Sequence, residues 1–221
     1  MLSQADRAFI TDIEPPLLAG ELSVVIARLR STWPPERLIE LSASLSNDVV
    51  KLAVLCLGIS GAASHCEHLA AFLKHDDDGV SSAAETAFWS VCLNDYTDDA
   101  HDRLNQAVGC MKENRHAEAL NLLDALIAAE PDKAEAYHQR ALALHSLERY
   151  ADAETAYLAA LSRNPHHFAA MAGLGHVHVE REQYREALDF YKRALDIYPR
   201  LEEIREIAPR LEAALHDREV A

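Results

Sequence analysis

Glycine and proline are scarce, seven and eight of 221 residues, or about one in fifteen together, far below what a linker or a disordered polymer carries. Aromatic residues are few as well, at 6%, yet 49% of the chain is hydrophobic. That is enough apolar side chain to bury a sizeable core in one elongated domain or two small ones. No uninterrupted apolar run approaches the roughly 18 residues of a membrane span. Asp6, Arg7, Asp12 and Glu14 stand where a signal peptide needs its apolar centre, so the expected location is cytoplasmic. Positive charge is the other shortage. The 21 Lys and Arg face 36 Asp and Glu, for a net charge of −15. Residues 1–99 hold 6 basic and 15 acidic side chains (−9), and residues 100–221 hold 15 and 21 (−6). Neither half supplies the positive field that phosphate neutralisation requires, which argues against nucleic acid and anionic membrane surfaces as partners.

Motifs that carry chemistry are missing too. No GxGxxG or GxxxxGK[ST] loop is present to cradle a phosphate, and there is no HExxH and no nucleophile elbow. Cys56, Cys66, Cys92 and Cys110 lack CxxC spacing and fall in apolar contexts, where they read as reduced core thiols. His65 and His68 could face a zinc ion together from one helical turn, but no second ligand pair lies nearby, and "HCEH" reads as a polar helix start with one buried thiol. His166-His167 follows Pro165 and reads as structural, with His167 docking on the next helix. No catalytic residue, metal ligand or cofactor is assigned, and enzymatic activity is not expected.

What the sequence does have is a period. Pro131, Pro165 and Pro199 recur every 34 residues, in step with Ala119, Ala153 and Ala187, with Leu126, Ala160 and Ala194, and with Ala107, Ala141 and Gly175. Larger residues follow at His116, Tyr150 and Tyr184 and at Leu123, Tyr157 and Tyr191. Each unit contains two apolar stripes of helical spacing separated by a polar break and closed by the proline, which is the pattern of two antiparallel helices. The stretches "ERYADAETAYLAALSRNP" and "EQYREALDFYKRALDIYP" resemble the tetratricopeptide repeat, with copies at 100–133, 134–167 and 168–201. The first copy departs from the pattern at His116 and Leu126. Leu201, Ile204, Ile207, Leu211 and Leu215 form a further stripe expected to cap the stack over 202–221, with Pro209 expected to kink or split that helix.

The first hundred residues carry a looser repeat of about 31 residues, in which "SNDVVKLAVLCLG" (46–58) aligns with "DDGVSSAAETAFW" (77–89). "HCEHLAAFLK" (65–74) lies between them, and "ELSVVIARLR" (21–30) and "PPERLIELSASL" (34–45) form a pair upstream. This region, 1–97, resembles HEAT-type repeats, and the layout is similar to small bacterial proteins that join such repeats to tetratricopeptide repeats. The resemblance implies an all-α, right-handed solenoid of antiparallel helix pairs, with a junction within "NDYTDD" (94–99) and the tetratricopeptide part over 98–201.

It also implies a function. In the tetratricopeptide family the first helix of each pair lines a concave groove. The matching positions here are His101, Leu104, Asn105, Val108 and Met111 in the first repeat and His138, Gln139, Leu142 and His145 in the second. The third repeat supplies Ala169, Ala172, Gly173, His176 and Val179. Asn105 and Gln139 are placed to pair with a partner's main chain, whereas Gly173 breaks that ladder. The lysine, asparagine and arginine residues with which some relatives clamp a chaperone C-terminus are replaced by Leu104, Val108, Gln139, Ala169 and Gly173. The expectation is a non-enzymatic scaffold that takes a peptide or partner helix with basic patches in this groove. Two alternatives stand beside it: homo-oligomeric assembly, and an accessory or small-ligand role like that of HEAT-like lyases, for which only Cys56, Cys66 and Cys92 are at hand. Were all 12 histidines exposed, protonation would move the net charge from −15 to −3, and solubility and partner affinity would change between roughly pH 7 and 5.5.

Overall fold

The computed structural model describes residues 2–94 and 96–220, with side chains described up to residue 216. Asp95, inside the expected 94–99 junction, and Ala221, at the end of the expected tail, lie outside the described residues. Among the described residues there are thirteen α-helices and no strand. The chain divides into two compact units, 1–95 and 96–221.

The first unit contains α1 (Gln4–Leu18), α2 (Leu22–Ser31), α3 (Pro35–Leu41), α4 (Asn47–Ser60), α5 (Cys66–Phe72) and α6 (Asp78–Asn94). The last five coincide with the apolar segments read from the sequence. In α1, Ser3 and Asp6 close a capping box, each side chain accepting the other's backbone N–H. Phe9, Ile13 and Pro16 recur on one face and are buried. Helices α4 and α6 form the most extensive packing in this unit. At Gly58 an added Cβ would lie 2.7 Å from the Ala87 Cα, so the two backbones meet at a distance that only glycine allows. The Asn94 amide fastens the end of α6 by donating to the carbonyls of Gly58 (2.8 Å) and Gly61 (2.9 Å).

The second unit contains α7 (Asp98–Lys112), α8 (His116–Ala129), α9 (Ala134–Ser146), α10 (Tyr150–Arg163), α11 (Phe168–Glu180), α12 (Tyr184–Ile197) and α13 (Glu202–Val220). Each 34-residue repeat is a helix pair, and the second helix of one pair packs on the first helix of the next. The repeating columns are the core: Ala119, Ala153 and Ala187 are fully buried, as are Leu126, Ala160 and Ala194. Tyr157 and Tyr191, each 1% exposed, drive into α11. A Cβ on Gly173 would lie 2.4 Å from the Tyr157 ring, and one on Gly175 would lie 2.2 Å from Tyr191. The turn inside each pair also repeats. Asn114, Glu148 and Glu182 take the left-handed conformation at φ 59°, 58° and 58°. The residue after each sends its N–H back to the carbonyl of Cys110, Leu144 or His178, closing a Schellman-type helix end.

Helix α13 packs on α12, with Ile204 and Ala208 buried against Ala187, Tyr191 and Ala194. It runs unbroken through Pro209, contrary to the expected split. The carbonyl that Pro209 leaves without a helical donor belongs to Arg205, an exposed residue, so the missing donor costs less there than it would in a buried helix.

Candidate partner-binding face

The first helices of the three pairs are neighbours: α9 touches α7 on one side and α11 on the other. This juxtaposition brings the sequence-predicted residues onto one face, but at different depths. His101 and Asn105 are exposed, and Val108, Met111, Gln139, Leu142, His145, Ala169, His176 and Val179 are half-buried. Leu104 (4% exposed), His138 (7%) and Ala172 (9%) are buried instead, and Gly173 is covered by Tyr157. These four positions pack the unit and are less accessible than the others expected to line the groove. Met111 and Leu142 rest on the cluster of Ala141, Leu144, Tyr157 and Leu174. Val179 rests on the cluster around Tyr191.

His138 is turned inward by a residue the sequence reading passed over. Glu135, buried one helical turn earlier, accepts from His138 Nδ1 (3.2 Å) through Oε1 and from His167 Nε2 (3.0 Å) through Oε2. Gln139 Nε2 donates to Oε1 as well, at 2.6 Å. One amide N–H of Gln139 is therefore committed to Glu135, which leaves its second N–H and its carbonyl oxygen for other partners. Burial alone would raise the Glu135 carboxyl, but the imidazoles of His138 and His167 outweigh it and hold the group well below the usual carboxylate range. Burial lowers His167 from its ordinary value, with the Glu135 hydrogen bond opposing. The i, i+3, i+4 spacing of Glu135, His138 and Gln139 was visible in the sequence, whereas His167 joins them only through the fold.

Glu135, His138 and His167 are also the group whose donor atoms lie close enough together, within 4.8 Å, to hold a metal ion. The hydrogen bonds fix a different chemistry. His167 Nδ1 caps α11 by accepting the Ala170 N–H at 3.2 Å, which leaves the ring proton on Nε2, the atom that would have to ligate. A metal-bound neutral imidazole carries its proton on the other nitrogen and donates it. The cluster is therefore a hydrogen-bonded brace between α9 and the start of α11.

At the far end of the same face, His145 Nε2 is shielded from solvent and has no hydrogen-bond partner. Its ring lies 5.5 Å from that of Tyr150. His176 Nδ1 is 2.9 Å from the Tyr191 hydroxyl. Burial lowers His176 and pushes the Tyr191 phenol up to about 12. His138, His167 and His178 are buried, so the 12 histidines are not one exposed set.

In the first unit His65 Nδ1 accepts the Ala62 N–H at 3.0 Å and so closes a helical turn. His68 Nε2 meets Ser42 Oγ at 2.9 Å, while that hydroxyl donates to the Ile39 carbonyl. Burial lowers His68.

Residues 132–200 match the tetratricopeptide repeat family. None of the curated proteins matches this chain by sequence. Among solved structures, the chain is similar to the first tetratricopeptide repeat domain of Spaghetti (RPAP3) bound to the HSP90 peptide SRMEEVD. The identity is 21% and the TM-score 0.52, over 55% of this chain and 96% of that one. The first such domain of human RPAP3 gives 22% and 0.52 over the same shares. The Sgt2 domain from Aspergillus fumigatus gives 13% and 0.54, over 57% and 84%. At these identities the likeness is one of fold. Helices α9 to α12 thus lie within the segment matched to the tetratricopeptide repeat family, in a chain similar in fold to solved tetratricopeptide repeat domains.

Proposed function

We propose that the protein is a non-enzymatic, cytoplasmic interaction scaffold, and that the face of α7, α9 and α11 receives an extended peptide or a partner helix. The observation that carries this reading is the composition of that face: Val108, Met111, Leu142 and Val179 remain half-exposed to solvent. Half-covered apolar groups gain from an added chain by leaving water.

The relative RPAP3 binds the peptide SRMEEVD. In this chain Leu104, Val108, Gln139, Ala169 and Gly173 stand at the positions where some relatives place the lysine, asparagine and arginine residues of a clamp, and residues 100–221 carry a net charge of −6. The reading therefore assigns a partner with apolar anchors and basic rather than acidic flanks. The first unit is read as HEAT-like repeats.

Capture of partners from the native host by the intact protein, compared with the Val108→Glu, Leu142→Glu double variant, tests the reading. The variant is expected to lose on the order of tenfold or more in affinity. Because Leu142 also packs on the core, Asn105→Arg, at an exposed site, provides a second variant that leaves the fold unchanged. Undiminished capture by both variants would remove the face from consideration.

A further inference from the structure

The cysteines of the first unit are not equivalent. Cys56 is fully buried in α4, and burial pushes its thiol up to about 12, the condition of an inert core residue. Cys66 and Cys92, by contrast, face each other. Cys66 begins α5 and Cys92 lies in the last turn of α6, and their Sγ atoms are 3.5 Å apart across the packed interface of the two helices. A disulfide needs about 2.05 Å between sulfurs, so closing the gap takes about 1.5 Å. Both residues are buried, Cys66 at 4% and Cys92 at 9% exposed, though less completely than Cys56.

We infer that Cys66 and Cys92 form an oxidative modification site, a dithiol that a peroxide converts to an intramolecular disulfide joining α5 to α6. The chemistry balances in two steps. One sulfur, as its thiolate, attacks a peroxide oxygen and becomes a sulfenic acid, and the other peroxide oxygen leaves as water or an alcohol. The second sulfur then displaces the sulfenic hydroxyl, forming the S–S bond and releasing water. The peroxide takes up two electrons, and the two thiol protons end in the products. The bridge closes a loop between residues 26 apart, limiting the freedom of the unfolded chain. It also fastens the short α5 beside the Asn94 contacts that already hold the end of α6. A thiol reductant reverses the change.

The test treats the reduced, full-length protein with hydrogen peroxide, alkylates it under denaturing conditions and weighs it. The expected product is a monomer about 2 Da lighter before alkylation, in which two of the four thiols still react. In a Cys56→Ala background, digestion is expected to yield one cross-linked pair of peptides containing Cys66 and Cys92. Cys66→Ser and Cys92→Ser, each checked for helical content, are each expected to abolish the cross-link. The oxidised protein is expected to unfold at a higher temperature than the reduced one. Four alkylatable thiols in the peroxide-treated protein, a bridge to Cys56 or Cys110, or further oxidation without a cross-link would each overturn the assignment.

Discussion

At Glu135 one carboxylate joins three side chains. Replacing it with alanine strands the buried donors of His138 and His167, and each unsatisfied group costs about 1–3 kcal/mol. Glu135→Ala is therefore expected to destabilise the second unit by about 2–4 kcal/mol, read as a lowered midpoint of urea unfolding. An unchanged midpoint would mean that the brace carries no net energy. At Gly175 the side chain of Tyr191 fills the space a Cβ would need. Gly175→Ala is expected to cost about 1–3 kcal/mol, as overpacking does, with a drop in melting temperature as the readout. Two further histidines, His68 and His176, have folded values lowered by burial. The unfolded chain, with imidazoles near about 6.5, then binds more protons than the folded one at mildly acidic pH. The stability these groups contribute is complete above about pH 6.5 and is lost as the pH falls through that value towards their lower folded values. Urea midpoints at pH 7.5 and 5.5 are expected to show this loss, and His68→Gln together with His176→Gln to reduce it. At this scale the sequence was only partly legible. The helical spacing of His138 put it on the expected partner face, but the spacing does not contain His167, which approaches from the turn after α10 and shares with His138 the Glu135 carboxylate that turns this imidazole inward.

Among elements, the repeat was the most readable feature, because a fixed period places the same small and large residues in every helix pair. Helix α1 was not legible. Pro15 and Pro16 look like a helix end, and their lost N–H groups should leave carbonyls without donors. For Pro16 that carbonyl belongs to Asp12, and the Arg28 guanidinium of α2 donates to it. The Asp12 carboxylate in turn accepts the Trp33 indole N–H at 2.8 Å. Two side chains distant in sequence, Arg28 and Trp33, thus support a helix that local propensity argues against, although the spacing of Ser3 with Asp6 and of Phe9 with Ile13 was a usable signal. The intra-pair turns carry the opposite tension, since Glu148 and Glu182 occupy a left-handed conformation that suits glycine. Glu148→Gly and Glu182→Gly are each expected to raise stability by about 0.5–1 kcal/mol, net of glycine's extra freedom in the unfolded chain. A loss of stability in either variant would show that the glutamate side chain contributes more than the strain costs.

For the whole molecule, an all-α scaffold of helix pairs was evident from periodicity and charge. Which groups of the partner face remain available was not, because burial depends on how Tyr157 and its neighbours fill the stack. The net charge of −15 carries a consequence for any basic partner: association should weaken as salt rises, with the Debye length falling from about 10 Å at 0.1 M to about 3 Å at 1 M. The central claim is that partners are taken on the face of α7, α9 and α11. Its most direct test places a photo-crosslinking amino acid at Asn105, exposed on α7, and in a second protein at Leu158, exposed on α10, with irradiation in the native host. Covalent adducts from position 105 and none from 158 are the predicted result; adducts from 158 alone, or equal yields from both, would contradict it.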